Sequence, residues 1–300
     1  MTSPADVAES GDLRIKVSVV MACRNAAAYV AEQLDALAAQ SYTDEWELIV
    51  SDNGSTDRST SIVEEHRHRF PSLTLLDSSA HQGPGAARNA AVHVSRGEYL
   101  LFCDADDVVG SGWLSALSHA LDEHDFVAAQ LDHERLNDSS STRKFTPHGG
   151  LLQSGPPFLP YMLGAALGVR RSIHDRVGGF DEQYRGSGED RDYCYRIQLA
   201  GVQLVPVPEA VVHYRHRRTN REIFRQARGS ARGHVQLYVN YRDLGLARPS
   251  ALRAVVHWGL IPVRLIPAVT SRRRFKRWVD QLGWRIGRLE GSVFYRVWAP

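Results

Sequence analysis

The chain has 300 residues, 43% hydrophobic and 23% charged, with a formal net charge of +2. That is ordinary for a soluble globular chain with ample core in one large domain or two small ones, and the bulk charge points to no particular partner. Cys23, Cys103 and Cys194 are odd in number, far apart and without a CxxC pair, which argues against a disulfide framework and for a reducing compartment. The distribution of charge says more than its total. Residues 1–213 hold 17 Lys and Arg against 30 Asp and Glu, a net of −13; residues 214–300 hold 19 against 4, a net of +15. An acidic body with a basic C-terminal surface is expected, and such a surface favours an anionic partner.

Residues 1–12 are small and polar and are expected to be disordered. KVSVVMAC (16–23) is an apolar run without alternation, as in a strand buried on both faces. AAAYVAEQLDALAAQ (26–40) has helical spacing, and WELIVSD (46–52) is a second strand. A helix over 57–69, a short strand over 72–77, a helix over 85–95 and a fourth strand over 98–104 follow. This alternation predicts right-handed βαβ units and a mainly parallel sheet, with ligands bound beyond the carboxyl ends of the strands. Asp52 and Asp104 stand at two such ends. Further on come a helix over 112–123, a strand over 126–134, a loop over 137–150 and a strand over 163–171. A Gly-rich loop (178–190) enters a helix over 190–200. Segments 219–240, 251–266 and 272–288 read as helices, with Pro262 and Gly283 as weak points.

The carboxylates carry the chemistry. In LFCDADDVVG (101–110), Asp104 and Asp106 are alternate residues at a strand end. Oxygen ligands so spaced suit a hard divalent cation, Mg2+ or Mn2+, that also carries phosphate oxygens. Taken alone the pair equally suits turn and helix caps. In SDNGSTD (51–57), Asp57 is placed to cap the next helix, whereas Asp52 precedes the turn and is free to accept the N3–H of a pyrimidine ring. In HQGPGAARN (81–89) the glycines let backbone approach a ligand, and Arg88 suits either a phosphate or a surface ion pair.

MACRN, ELIVSDNGSTD, GPGAARNAA and GEYLLFCDADD, in that order, resemble the family 2 glycosyltransferases, which have the GT-A nucleotide-sugar fold. The resemblance runs from about Val17 to Arg217. It implies a Rossmann-like α/β domain over 13–217, with a nucleotide-binding half (13–110) and an acceptor half (111–217), followed by a basic helical region over 218–300. It implies an inverting enzyme that moves a sugar from a nucleotide-diphosphate sugar to an acceptor hydroxyl, in cell-surface polysaccharide, glycolipid or other glycoconjugate synthesis. By the same resemblance Ala22 and Arg24 contact the nucleotide, Asp52 reads the base, Asp104 and Asp106 form the DxD motif, and Asp106 ligates the metal directly. Ser51 and Asn53 beside Asp52 depart from the family's usual residues and leave the base less defined; a UDP- or dTDP-sugar ranks ahead of a GDP-sugar.

The family's catalytic base lies in an acid pair that opens a helix after a Gly-rich loop, here GGFDEQYRGSGED (178–190). Asp190 shares a helix face with Tyr193, Cys194 and Ile197, so it is expected to turn inward, with a raised pKa that suits a general base. The competing reading makes Ser187–Asp190 a capping box. Glu189 is the substitute base. His213, the last residue of the strand-like EAVVH (209–213), is a metal ligand in some relatives and as readily a surface group here; Arg215 and Arg217 are candidates for phosphate contact.

The tail ALRAVVHWGLIPVRLIPAVTSRRRFKRW (251–278) sets apolar residues beside an arginine cluster. It suits peripheral attachment to an anionic leaflet, or packing on the acidic body and a homodimer contact. The expected location is cytoplasmic, peripheral on the inner face of the cell membrane, with no signal peptide and no membrane span. Nucleic acid is not expected as a partner, because no recognisable module accompanies the charge. The acceptor is a saccharide, a lipid-linked or a small molecule. Processive polysaccharide synthases carry QxxRW, and RFKRW (274–278) lacks its Gln. Two rival functions are a sugar-1-phosphate nucleotidylyltransferase, whose N-terminal signature MACRNAAAY does not provide, and a non-catalytic nucleotide-binding protein.

Overall fold

The computed structural model describes residues 15–138, 150–153, 158–184 and 186–299. The disorder expected over 1–12 and most of the loop expected over 137–150 lie outside the described residues.

Valine-rich β1 (Val17–Cys23) and β2 (Trp46–Asp52) are buried on both faces, as their continuous apolar runs require. Helix α1 (Val30–Ala38) joins them, α2 (Ser59–His66) leads to β3 (Leu73–Asp77), and α3 (Pro84–Val94) leads to β4 (Tyr99–Asp104). Then come β5 (Val108–Val109), α4 (Trp113–Glu123), β6 (Phe126–Asp132), β7 (Leu167–Arg170), α5 (Arg171–Val177), α6 (Glu189–Leu199) and β8 (Val205–His213). Three helices close the chain: α7 (Asn220–Tyr241), α8 (Ala251–Ala268) and α9 (Arg272–Phe294).

One eight-stranded sheet runs in the order β3-β2-β1-β4-β7-β6-β8-β5. Its first four strands are parallel; β7 is antiparallel to both β4 and β6, and β8 returns parallel to β6. The sheet is therefore mixed but mainly parallel, flanked by helices, with helices added at the C-terminal end. Register fixes the rim. Cys23 pairs with Asp52, and Ala22 with Asp104, so both acids emerge at the same carboxyl edge.

Three local expectations are corrected. The segment 163–171 is not one strand: Gly164–Ala166 form a 3-10 turn before β7, and α5 starts at Arg171. The reason is steric, because a Cβ on Gly164 would lie 2.5 Å from the Arg88 guanidinium, and the backbone bends around that side chain. Strand β8 begins before EAVVH. Its Pro206 and Pro208 hide the strand pattern, and its register on β6 jumps between Ala129 and Gln130. Gly283 is no weak point. Gly283, Gly287 and Gly291 let α9 lie directly on α7, and a Cβ on Gly287 would stand 2.1 Å from the Arg228 carbonyl oxygen.

Helix α8 rests on α9 through Ala254, Ile261 and Ala268, a seven-residue repeat. It bears on the expectation that the chain has no membrane span. By length and composition its 18 residues, with mean hydropathy 1.2, are enough to cross a membrane, and only 17% of that stretch is buried.

Candidate active site

At the carboxyl edge of the sheet lies an open cavity of about 580 Å3. Ala22, Arg24, Asn53, Arg88, Asp104, Asp106, Glu189, Asp190 and Arg217 are among its lining residues. Helix α7 contributes Glu222, Arg225, Gln226 and Ser230 to the lining.

The floor is built by short polar contacts between loops. Asn53 donates to the carbonyls of Ser78 (2.8 Å) and His81 (2.9 Å) and accepts the Gly83 N–H (2.9 Å), locking the ends of β2 and β3 to the start of α3. Asp57 accepts the N–H groups of Ala27 and Ser59 at 3.0 Å, so it supports the start of α2 and also holds the loop that carries Arg24. Asp52 is buried. One of its oxygens accepts the Ser55 N–H at 3.1 Å; the other has no partner among the described residues. A buried carboxylate oxygen without a partner suits a ligand N–H donor, although Asp52 itself is not among the residues that line the cavity.

Asp104, Asp106 and Asp107 bring carboxylate oxygens within 4.8 Å of one another. Arg88 donates to Asp104 at 2.7 Å, and Arg217 forms a short ion pair with Asp106. Asp107 is fully buried, and burial together with Asp106 and Asp104 holds its pKa well above the usual carboxylate range. Crowded oxygens of this kind fit a divalent cation. The turn that bears them is set from beneath. Gln33 donates to the Asp104 carbonyl (3.2 Å) and accepts the Val109 N–H (2.9 Å). Arg215 donates its backbone N–H to Asp107 (2.7 Å) and its Nε–H to the Asp106 carbonyl (2.8 Å), while its guanidinium lies 4.5 Å above the Tyr29 ring.

Helix α6, whose first turn also lines the cavity, begins after Gly188, whose φ of 106° only glycine adopts without strain. No side chain caps this helix, so the competing capping-box reading does not hold. The environments of the acid pair are reversed relative to expectation. Glu189 is the buried member, with Arg88 3.2 Å away. Burial and the neighbouring Asp190 outweigh that arginine and raise Glu189 to about 7. Asp190 is half-buried at the cavity wall and accepts the Arg191 N–H at 2.8 Å. The helix turns Tyr193, Cys194 and Ile197 into the core and leaves its first turn facing the cavity.

Two expected contacts are corrected. Arg88 is ion-paired but not at the surface: its side chain is 3% exposed and bridges Asp104 and Glu189 at the cavity wall. His213 lies outside the acid cluster. Its Nδ1 is 2.6 Å from Asp132 and its Nε2 is 3.0 Å from Arg135, so neither nitrogen is open to a metal. The sequence reading gave no role to Gln33, Asp107 or the α7 residues. Gln33 stood inside an apolar helical stripe, which was the one signal that marked it.

The model for "Glycosyl transferase family 2" matches residues 18–178, and that for "Glycosyl transferase family group 2" matches residues 99–279. The poly(ribitol-phosphate) beta-N-acetylglucosaminyltransferase TarS of Staphylococcus aureus is 34% identical over 211 residues, covering 68% of this chain and 36% of TarS. The pre-mycofactocin glycosyltransferase of Mycobacterium tuberculosis is 29% identical over 231 residues, covering 74% of this chain and 45% of the relative. The chain thus spans less than half the length of these curated relatives. Among solved structures, the mannosyltransferase PcManGT of Pyrobaculum calidifontis, in complex with GDP-Man and Mn2+, has the same fold at TM-score 0.64 and 20% identity, covering 92% of this chain and 87% of that one. TarS 1-349 with UDP-GlcNAc gives TM-score 0.52 at 19% identity, covering 95% and 93%. With more than half of its length matched by the family model and its motifs gathered at one sheet edge, this chain belongs to the family 2 glycosyltransferases.

Proposed function

We propose that the protein is an inverting glycosyltransferase that moves a sugar from a nucleoside-diphosphate sugar to an acceptor hydroxyl in the synthesis of a cell-surface polymer or other glycoconjugate. The observation that carries this reading is the shared cavity, which Asp104, Asp106, Glu189 and Asp190 all line. Asp52, with its open buried oxygen, would accept the ring N–H of a pyrimidine, which supports a UDP- or dTDP-sugar ahead of a GDP-sugar. The related TarS structure in complex with UDP-GlcNAc is in keeping with this, although PcManGT was solved with GDP-Man. Asp104 and Asp106 would hold Mg2+ or Mn2+, with Asp106 the direct ligand, and the cation would offset charge on the diphosphate.

Asp190 takes the proton from the acceptor hydroxyl. The oxygen forms a bond to the anomeric carbon as the bond from that carbon to the diphosphate oxygen breaks, and the configuration inverts. Glu189, ion-paired to Arg88, holds the start of α6 against the donor rim rather than meeting the acceptor. Arg24, exposed at the cavity mouth, and Arg217 are placed to meet phosphate oxygens. The acceptor is a saccharide, a lipid-linked or a small molecule; TarS is named for its poly(ribitol-phosphate) acceptor.

Incubation with Mn2+ and a panel of UDP-, dTDP- and GDP-sugars tests the proposal. Slow release of free sugar and nucleoside diphosphate is expected. Release of sugar-1-phosphate on addition of pyrophosphate would identify a nucleotidylyltransferase instead. Binding without turnover, with or without an acceptor panel, would identify a non-catalytic protein.

A further inference from the structure

One face of α8 has no partner in the fold. Leu252, Val255, Val256, Val263 and Ile266 recur at helical spacing on the side opposite the Ala254–Ile261–Ala268 seam, and Leu252 and Ile266 are 74% and 75% exposed. Val269 continues the stripe at 67% exposure. Monomeric soluble proteins seldom leave so continuous an aliphatic row in water. Its flanks are basic. Arg253 lies at one end and Arg272, Arg273, Arg274 and Arg277 at the other, all exposed, and none pairs with an acid among the described residues. Residues 251–279 contain no Asp or Glu at all.

We infer that the α8 face and its arginine flanks form a docking surface for an anionic lipid leaflet, with α8 lying in the plane of the interface. Aliphatic side chains on one face and unpaired cations at its edges match acyl chains below a negatively charged headgroup layer. The helix is long enough to cross a bilayer, but its packing opposes that arrangement. Arg264 donates to Gln281 at 2.9 Å, and the Trp278 indole N–H donates to the Ile261 carbonyl at 2.8 Å, so α8 is tied along its length to α9. Spanning would carry the arginines of α9 into hydrocarbon or tear this seam. The same α9 lies on α7, whose other side lines the cavity. Attachment through α8 would therefore hold the acceptor wall near the leaflet, although the surface itself does not depend on the proposed transfer reaction.

Flotation of the full chain with phosphatidylglycerol–phosphatidylcholine vesicles, compared with phosphatidylcholine vesicles and without nucleotide, tests the inference. Binding to the anionic vesicles is expected to be at least tenfold stronger and to weaken in high salt. The double variant V255E/I266E and, separately, R272Q/R273Q/R274Q should each reduce vesicle binding at least tenfold. All five residues are exposed, and unchanged UDP–Mn2+ binding or an unchanged melting temperature would show that the fold is intact. Failure to bind anionic vesicles would overturn the inference. So would a concentration-dependent dimer that V255E/I266E abolishes while vesicle binding persists, which would give the face to a second copy. Protein resistant to alkaline carbonate extraction would overturn the in-plane placement.

Discussion

The Arg88 guanidinium lies between the Asp104 carboxylate, 2.7 Å away, and the Glu189 carboxylate, 3.2 Å away, and so fastens the end of β4 to the start of α6. Burial works against its charge, but Asp104 and Glu189 overcome this and raise its pKa. Replacing it by methionine would leave Glu189 buried beside Asp190 with no countercharge. Such a loss costs about 3–5 kcal/mol. Arg88→Met should show this in urea unfolding, and Arg88→Lys should recover only part of it, because a single ammonium cannot bridge both acids as a planar fork does. Equal stability of all three proteins would remove Arg88 from this role.

Glu189 makes stability depend on pH in a predictable direction. Its folded-state pKa of about 7 stands above the ordinary value of 4.5, because burial and Asp190 disfavour the carboxylate. The folded state therefore holds the proton more tightly than the unfolded state. The stabilising contribution is complete below the unfolded value and is lost as pH rises through about 7. Glu189→Gln cannot titrate. The melting temperature of the wild type minus that of E189Q should fall from pH 5 to about pH 7 and then level off; a flat or rising difference across that range would contradict the assignment.

The two acids of α6 should also separate kinetically. Asp190→Asn removes the proposed base and should lower turnover by about 10²–10⁴-fold while leaving nucleotide affinity unchanged. E189Q should lose less turnover and should weaken donor binding as well, since it loosens Arg88 from Asp104. Steady-state assays paired with calorimetric UDP–Mn2+ titrations make the comparison, and normal turnover by D190N would move the base to Glu189.

Much of this arrangement was legible in the sequence, for identifiable reasons. The parallel half of the sheet has apolar runs broken by Gly, Asn and Asp at each strand end, so β1 to β4 and the rim acids could be read directly. Local spacing also turned Tyr193, Cys194 and Ile197 inward. It could not say which of Glu189 and Asp190 is buried. That depends on Arg88, 101 residues before Glu189 in the chain, and on where α3 carries it. His213 failed for a similar reason: Asp132 and Arg135 occupy its ring, and only the pairing of β6 with β8 brings them there. Gly164 and the prolines of β8 obscured their elements because their contacts are tertiary.

Asp52 offers a narrower test. Its unpaired buried oxygen has no other role in the described structure, so Asp52→Ala should chiefly affect the ligand. A hydrogen bond to a charged acceptor contributes about 1.5–3 kcal/mol, so UDP affinity should fall roughly 10- to 100-fold. Affinity for inorganic pyrophosphate with Mn2+ should not change, because that ligand lacks a base. If both ligands weaken together, Asp52 holds the rim and does not read the ring.

The acceptor wall depends on a residue that no motif marks. Gly233 of α7 packs against the loop before α6, and a Cβ there would stand 1.9 Å from the Ser187 carbonyl oxygen. Gly233→Ala must push α7 away from Ser187 and Gly188, at a cost of about 1–3 kcal/mol for an overpacked contact. The movement would displace Glu189 and Asp190 relative to the donor rim, while Asp52 and Asn53 are anchored elsewhere, in β2 and the loop after β3. Turnover should therefore fall further than UDP affinity. Gly259→Ala in α8 is the control: nothing lies within 4 Å of its Cβ position. That substitution should leave turnover intact and raise stability by about 0.5–1 kcal/mol, since alanine is the better helix former. If G233A and G259A behave alike in both assays, α7 does not position the acid pair.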